Sequence, residues 1–299
     1  MIYTYTLNPS IDHYIFTENK ILQSETNRAY KSLCVCGGKG INVSLACRAL
    51  GVKTVCRGIC GGFTGKELVR QLEDNGVECN FVITDENTRI NTKIVNNGSV
   101  TEINAPGAPI DENTLDKLLS LISCMNENDT AVISGSLPYD AELLNNLFSA
   151  VKKTGAKFIA DTSGEALKQC IKFEPYLIKP NIKELSALFD TEIQFDEIQL
   201  YASKLLTKGV LNVIVSCGER GAFFTSENET KYLPVNDVKM KVKNTTGAGD
   251  SMIAGFLFGV QNGLDPFMCA VSAGSAAAYC ETTLDKDTFF RVYESYHKI

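Results

Sequence analysis

The stretch Asn244-Thr245-Thr246-Gly247-Ala248-Gly249-Asp250-Ser251 follows a positively charged, strand-like run, Val238 to Lys243, and leads into apolar residues at helical spacing: Ile253, Phe256, Leu257 and Val260. Two glycines at the mouth of a helix let several backbone N–H groups face one point, and the helix dipole adds partial positive charge there. Asp250, in the first turn, sets a carboxylate beside that anion hole. An anion hole with a positioned base is what phosphoryl transfer to a hydroxyl requires. A glycine-rich turn capped by an Asp accounts for the same residues without chemistry. From this octapeptide alone, both readings stand.

Upstream, strand and helix patterns alternate. Strands are expected near 2–7, 54–59, 80–83, 130–134, 157–161, 176–179, 212–216 and 221–225. Helices are expected from Gly37-Gly38-Lys39-Gly40 onward, over 65–75, and near 112–124, 140–153, 164–171, 182–189, 195–207, 248–262, 267–281 and 287–297. Alternation of this kind implies a mostly parallel sheet covered on both faces, a doubly wound α/β fold. Two interruptions stand outside it. One is the pair of short strands around Ile11–Phe16 and Ala29–Val35, and the other is the hairpin around Asn97-Gly98, a dipeptide suited to a type I′ turn. Together they are expected to form a small β-sheet lid, from segments about 11–35 and 89–105, inserted in a single domain over 1–299.

The 299 residues are 44% apolar and 21% charged, enough for a sizeable core. The net charge, 29 − 35 = −6, comes without a basic stripe, which argues against a nucleic-acid partner. No apolar run approaches membrane-spanning length and the first residues lack a signal-peptide layout, so a cytoplasmic protein with no membrane partner is expected. Eleven cysteines without a Cys-x-x-Cys spacing, and two histidines, read as reduced core thiols rather than a zinc site.

In parallel α/β sheets, ligands bind beyond the carboxyl ends of the strands. Several polar clusters fall there. Asp12, after Asn8-Pro9-Ser10, is either a turn residue or an acceptor for sugar hydroxyls. Gly38, Lys39 and Gly40 open a helix where the backbone can approach a ligand and an ammonium can meet an anion. Arg89 suits bidentate phosphate recognition, whereas Lys93 reads more readily as an edge-strand lysine that prevents aggregation. Asn181 and Glu184, three apart at a helix start, could hold Mg²⁺ directly or through water, or simply cap the helix. Ser216, Gly218 and Gly221 sit in a tight connection that either serves the turn or approaches a nucleotide. The Gly-x-Gly-x-x-Gly of a dinucleotide oxidoreductase is absent from the first βα turn.

Taken in order, Thr6–Asp12, Gly37-Gly38-Lys39-Gly40-Ile41-Asn42-Val43, Thr88-Arg89, Ser134-Gly135-Ser136-Leu137-Pro138, Lys179-Pro180-Asn181 with Glu184, and Gly247–Ser251 resemble the ribokinase-like (phosphofructokinase B) family of sugar kinases across nearly the whole chain. The resemblance implies a doubly wound ribokinase-like fold, with a β-lid over the sugar that is often shared across a homodimer. It also implies ATP as phosphoryl donor with Mg²⁺. Asp250 matches the family's catalytic base and Gly247, Ala248 and Gly249 its anion hole. Asp12, Gly38, Lys39, Asn42, Arg89 and Ser136 fall on the substrate side; Lys179, Asn181, Ser216, Gly218 and Gly221 fall on the ATP side; and Asn181 with Glu184 matches the metal-associated motif. Thr88–Lys93 and Thr101–Gly107 resemble the branch acting on fructose 1-phosphate, with tagatose 6-phosphate kinases next to it. In that branch Lys39 and Arg89 would clamp the phosphate already on the sugar. Cys34-Val35-Cys36 departs from the family pattern where a proline is expected. A non-catalytic sugar-phosphate-binding regulator on the same fold is the competing function, but it predicts loss of Asp250, Asn181 or Glu184, and all three are present.

Overall fold

The computed structural model describes residues 1–96, 99–138, 140–236, 238–281 and 283–297. Its strands are β1 (Ile2–Thr6), β2 (Ser10–Thr17), β3 (Lys31–Gly37), β4 (Val55–Gly61), β5 (Glu78–Thr84), β6 (Arg89–Asn96), β7 (Ser99–Ile103), β8 (Thr130–Ser134), β9 (Lys157–Asp161), β10 (Leu177–Ile178), β11 (Asn212–Ser216), β12 (Ala222–Ser226) and β13 (Thr230–Leu233). The α-helices are α1 (Lys39–Leu50), α2 (Gly62–Asp74), α3 (Glu112–Ser123), α4 (Ala141–Thr154), α5 (Gly164–Cys170), α6 (Ile182–Leu188), α7 (Ile198–Leu206), α8 (Ala248–Asn262), α9 (Pro266–Tyr279) and α10 (Lys286–Ser295).

Nine strands form one sheet in the order β13-β12-β11-β10-β9-β8-β1-β4-β5. Pairing is parallel from β11 through β5, and antiparallel for β12 and β13 at one edge. Successive side chains of a strand point to opposite faces, and the core follows that rule. Ala131 and Ile133 of β8, Phe158 and Ala160 of β9, and Val213 and Val215 of β11 pack with Leu118, Leu144, Leu167, Leu185 and Leu205 from α3 to α7. The intervening Val132, Ile159 and Ile214 pack with Val43, Ile253, Phe267 and Phe289 from α1, α8, α9 and α10. Burial of each such large apolar side chain contributes about 1.5–3 kcal/mol. The sheet is therefore doubly wound. A third cluster (Ile11, Cys36, Ile41, Cys56, Leu68 and Phe81 among its members) joins α1 and α2 to the root of a second sheet.

That second sheet has the order β3-β2-β6-β7, with β2 and β6 parallel and the outer pairings antiparallel. The Asn97-Gly98 turn lies outside the described residues. Because β6 is flanked by β2 and β7, Lys93 is not on an edge; it is buried at 7% exposure. The aggregation-protection reading of Lys93 is thereby corrected. A lysine in a short β pattern looks the same at an edge and in an interior strand until pairing is known.

The strand-like run Val238 to Lys243 is also corrected: among its residues none is in a strand. Lys239 adopts φ 55°, which breaks an extended run. The amides of Lys243 and Asn244 donate to the Ala278 carbonyl of α9, at 2.8 and 3.2 Å. Alternating Lys, Val and Met mimicked β periodicity, but the segment lies against the end of a helix; the sheet's edge is Thr230–Leu233. All eleven cysteines are free thiols, seven of them buried.

Close packing of α8 on α9 depends on Gly255, where an added Cβ would press on the Cys269 carbonyl and lie 2.6 Å from Ala273 Cβ. Gly255→Ala should therefore lower stability by about 1–3 kcal/mol through overpacking. A fall of several degrees in the calorimetric melting temperature checks it; an unchanged melting point would show that the helices can part without loss.

Candidate active site

Five helices begin at Asp or Asn side chains that satisfy first-turn amides: Asp111 on α3, Asp140 on α4, Asn181 on α6, Asp265 on α9 and Asp285 on α10. By contrast, α1 and α8 start at glycines in the positive-φ region, Gly38 (φ 128°) and Gly247 (φ 80°), with no side-chain cap. Their first-turn amides are therefore available to an anion. Asp250 does not cap its helix; its Oδ2 accepts a 2.7 Å hydrogen bond from Asn42 Nδ2 of α1. The Ala248 amide turns back to the Thr245 carbonyl at 3.3 Å, and no such bond takes up the amides of Gly249 and Asp250 among the described residues. The capped-turn reading of this stretch fails on that geometry.

The starts of α1 and α8 meet at the carboxyl ends of β9 and β10. Gly40 permits it: an added Cβ would lie 2.5 Å from Thr6 Oγ1 and 2.9 Å from the Tyr5 carbonyl, so only glycine lets α1 sit this close to β1. Lys39 then reaches the last residue of β9, Asp161, with Nζ 3.4 Å from Oδ1. Lys179, one residue past β10, reaches the same oxygen at 3.3 Å. Lys179 Nζ also lies 3.1 Å from where a Gly249 Cβ would stand, directly under the start of α8. Asp161 is 1% exposed and its Oδ2 has no partner among the described residues.

Charge and burial tune the groups. Desolvation, and then the neighbouring Asp161 carboxylate, push Asp250 up to about 6, against the Asn42 hydrogen bond and the Lys179 and Lys39 ammoniums. Burial alone would depress the Lys39 ammonium; Asp161, Glu184 and Asp250 outweigh it and hold it above its ordinary value. A carboxylate near 6 is an effective proton acceptor at neutral pH.

Asp161 was missed in the sequence reading. The signal was present, since it ends a strand on the ligand side of a parallel sheet, but Asp-Thr-Ser-Gly also reads as an ordinary turn. The other expected residues fall into two groups. Asn181 and Glu184 form a reciprocal capping box, each side chain 2.9 Å from the other's amide. Asn181 also bridges to Ser216, and the Ser216 amide donates to the Pro180 carbonyl at 3.0 Å, which joins the α6 start to the Ser216–Gly221 loop. Gly218 and Gly221 in that loop have φ of 61° and 97°.

Asp12 lies in the small sheet, packed against Gly37 just before the α1 start. Arg89 engages backbone carbonyls at the root of that sheet: Asn8 and Ala105 at 3.1 Å and Pro9 at 3.4 Å. Ser136 accepts from Asn8 Nδ2 at 3.3 Å. Lys39 and Arg89 thus engage different partners, one at the Asp250 cluster and one at the small sheet's root.

The sequence model described as "pfkB family carbohydrate kinase" matches residues 5–286. The 1-phosphofructokinase of Borreliella burgdorferi is 37% identical over 284 residues, covering 93% of this chain and 92% of that protein. The D-tagatose-1-phosphate kinase of Bacillus licheniformis is 32% identical, covering 93% of each. The tetrameric inhibited form of phosphofructokinase-2 from Escherichia coli superposes with a TM-score of 0.89 at 32% identity, covering 98% of both chains.

The raised Asp250 has a consequence for stability. Below about pH 3 it is protonated in the folded and unfolded chains alike and costs nothing. As pH rises, the unfolded chain ionises first, and stability is lost through the folded value near 6, by roughly 2–3 kcal/mol in all. Asp250→Asn should therefore melt above the wild type near neutral pH and level with it at about pH 3. Calorimetry at the two pH values checks this; equal melting points at both would mean that the carboxylate is not held under strain.

Proposed function

Because the chain belongs to the pfkB family of carbohydrate kinases, we propose that it transfers the γ-phosphoryl group of ATP to the C6 hydroxyl of fructose 1-phosphate, giving fructose 1,6-bisphosphate. The observation that carries the chemistry is Asp250: a buried carboxylate at an uncapped helix start, aimed by Asn42 and within the field of two lysines. Asp250 takes the proton of the attacking hydroxyl. The open amides at the α8 start, those of Gly249 and Asp250, and the Lys39 ammonium stabilise the charge on the group in transfer. This assigns Lys39 to the transferred phosphate and leaves Arg89 for the phosphate already on the sugar, with Gly38, Asn42, Asp12 and Ser136 around the sugar. Lys179, Asn181, Ser216, Gly218 and Gly221 form the ATP side, a grouping supported by the bridge between Asn181 and Ser216.

Magnesium accompanies ATP in this reading. Among the described residues no three His, Cys, Asp or Glu side chains converge into a cage. The donors present fit instead a hydrated ion carried mainly by phosphates. Asp161 Oδ2 is buried without a partner among the described residues, and Glu184 uses Oε2 in its capping box, leaving Oε1 for a bound water. When bound, the ion would neutralise charge on the phosphates.

Similarity to a D-tagatose-1-phosphate kinase supports a second substrate, a tagatose phosphate, through the same residues. A cytoplasmic location fits the reading, and no described helix is long and apolar enough to cross a membrane. We also propose a homodimer through the small sheet. The face opposite Asp12 leaves Ile90 and Ile103 41% and 59% exposed, an apolar surface that a second copy would cover. Sedimentation velocity at micromolar concentration should give a species of twice the chain mass; a monomer removes this part.

A coupled assay over fructose 1-phosphate, tagatose 6-phosphate, fructose 6-phosphate and free fructose tests the function. Fructose 1-phosphate should give the highest kcat/KM, and a wide preference for free fructose would sink the phosphate-clamp assignment. Asp250→Asn should lower kcat by about 10²–10⁴ with little change in KM. A variant within a few-fold of wild type would remove Asp250 from the base role.

A further inference from the structure

Two opposite charges of the small sheet, Lys93 and Asp12, face each other with side chains only 8% and 14% exposed. The Lys93 ammonium lies 2.9 Å from Asp12 Oδ2 and 3.3 Å from the Tyr14 hydroxyl, with the Tyr14 ring centre 5.1 Å away. The other carboxylate oxygen of Asp12 accepts from Ser10 Oγ at 2.8 Å and from Asn91 Nδ2 at 3.1 Å. Strand register produces this cluster. Asp12 stands opposite Asn91 and Tyr14 opposite Lys93 across the parallel β2–β6 pair, so all four side chains share one face.

Asn91 gives its amino group to Asp12 even though its own Oδ1 is buried with no partner among the described residues. An unpaired buried acceptor is unfavourable, so this orientation marks the carboxylate as the group being served. Stability does not explain the arrangement, because a buried ion pair is often no better than an apolar pair of the same volume. Three donors on one carboxylate do something an apolar pair could not. They fix its rotamer and leave about one of its roughly four acceptor positions for a ligand.

We propose that Lys93 is the positioning residue of the sugar subsite: through Asp12 Oδ2 it holds the carboxylate in the one orientation that accepts a single hydroxyl of the sugar phosphate. Lys93 does not touch the substrate. The inference rests on the reading of Asp12 as the acceptor for sugar hydroxyls. Preorganising that acceptor removes the ordering loss that binding would otherwise carry, so the effect falls on substrate affinity rather than on the transfer step.

Steady-state kinetics of the full chain at saturating ATP test it, using wild type, Asp12→Asn, Lys93→Met and the double variant. Lys93→Met should raise KM for fructose 1-phosphate about tenfold, with KM for ATP and kcat moving far less. The double variant should have the same KM as Asp12→Asn alone, because a residue that acts only through Asp12 has nothing left to act on. An unchanged KM in Lys93→Met overturns the proposal. So does a double variant whose KM rise is the product of the two single rises, since Lys93 would then contact the substrate independently. Should Lys93→Met fail to fold, its lone buried carboxylate is the reason, and the double variant lacks one. Its KM against Asp12→Asn then decides: equality supports the proposal, a further rise overturns it. A wild type that phosphorylates none of the ketohexose phosphates withdraws the functional reading and this inference together, a result distinct from an active wild type indifferent to Lys93.

Discussion

One buried carboxylate, Asp161, is the point on which four elements converge. It ends β9, pairs with Lys39 at the start of α1 and Lys179 just past β10, and its field acts on Asp250 at the start of α8. A charge this deep is tolerated only when it is compensated. The two lysines are that compensation, and they are held where they are by the sheet beneath and the helices above. The same charges that the fold must neutralise are the charges that a phosphoryl group in transfer would meet.

The cluster is expensive to bury, and the remainder of the molecule offsets it in ordinary ways. Both faces of the nine-stranded sheet are covered by helices whose apolar side chains interlock with alternate strand residues. Five helices are capped by their own Asp or Asn side chains. The two that converge on the site, α1 and α8, start at glycines and are not capped by a side chain. The small sheet repeats the pattern on a lesser scale, with Lys93, Asn91 and Ser10 spent on one carboxylate.

Some readings survived because they rest on local physics. Apolar runs such as Thr130–Ser134 and Asn212–Ser216, alternating with helical patterns, suit a sheet covered on both faces, and Gly37-Gly38-Lys39-Gly40 leads into α1 with no side-chain cap. Others failed where local pattern is ambiguous. Val238 to Lys243 has the alternation of a strand, yet its amides are taken by the Ala278 carbonyl and Lys239 turns left-handed. Lys93 carried the look of an edge residue, although β7 closes that edge. Asp161 ends a strand on the ligand side, but Asp-Thr-Ser-Gly reads equally as a turn, and the approach of two lysines is what singles it out.

The sequence by itself determined the doubly wound α/β class, the small second sheet, and the two glycine-rich helix starts, with Asp250 in the first turn of one of them. Those follow from period, glycine placement and caps, which act over a few residues. Only the tertiary structure decided which charges meet. Lys39 stands 122 residues from Asp161, and Asn42 stands 208 from Asp250. Pairings at that separation are set by strand order and helix packing, and no short-range rule encodes them.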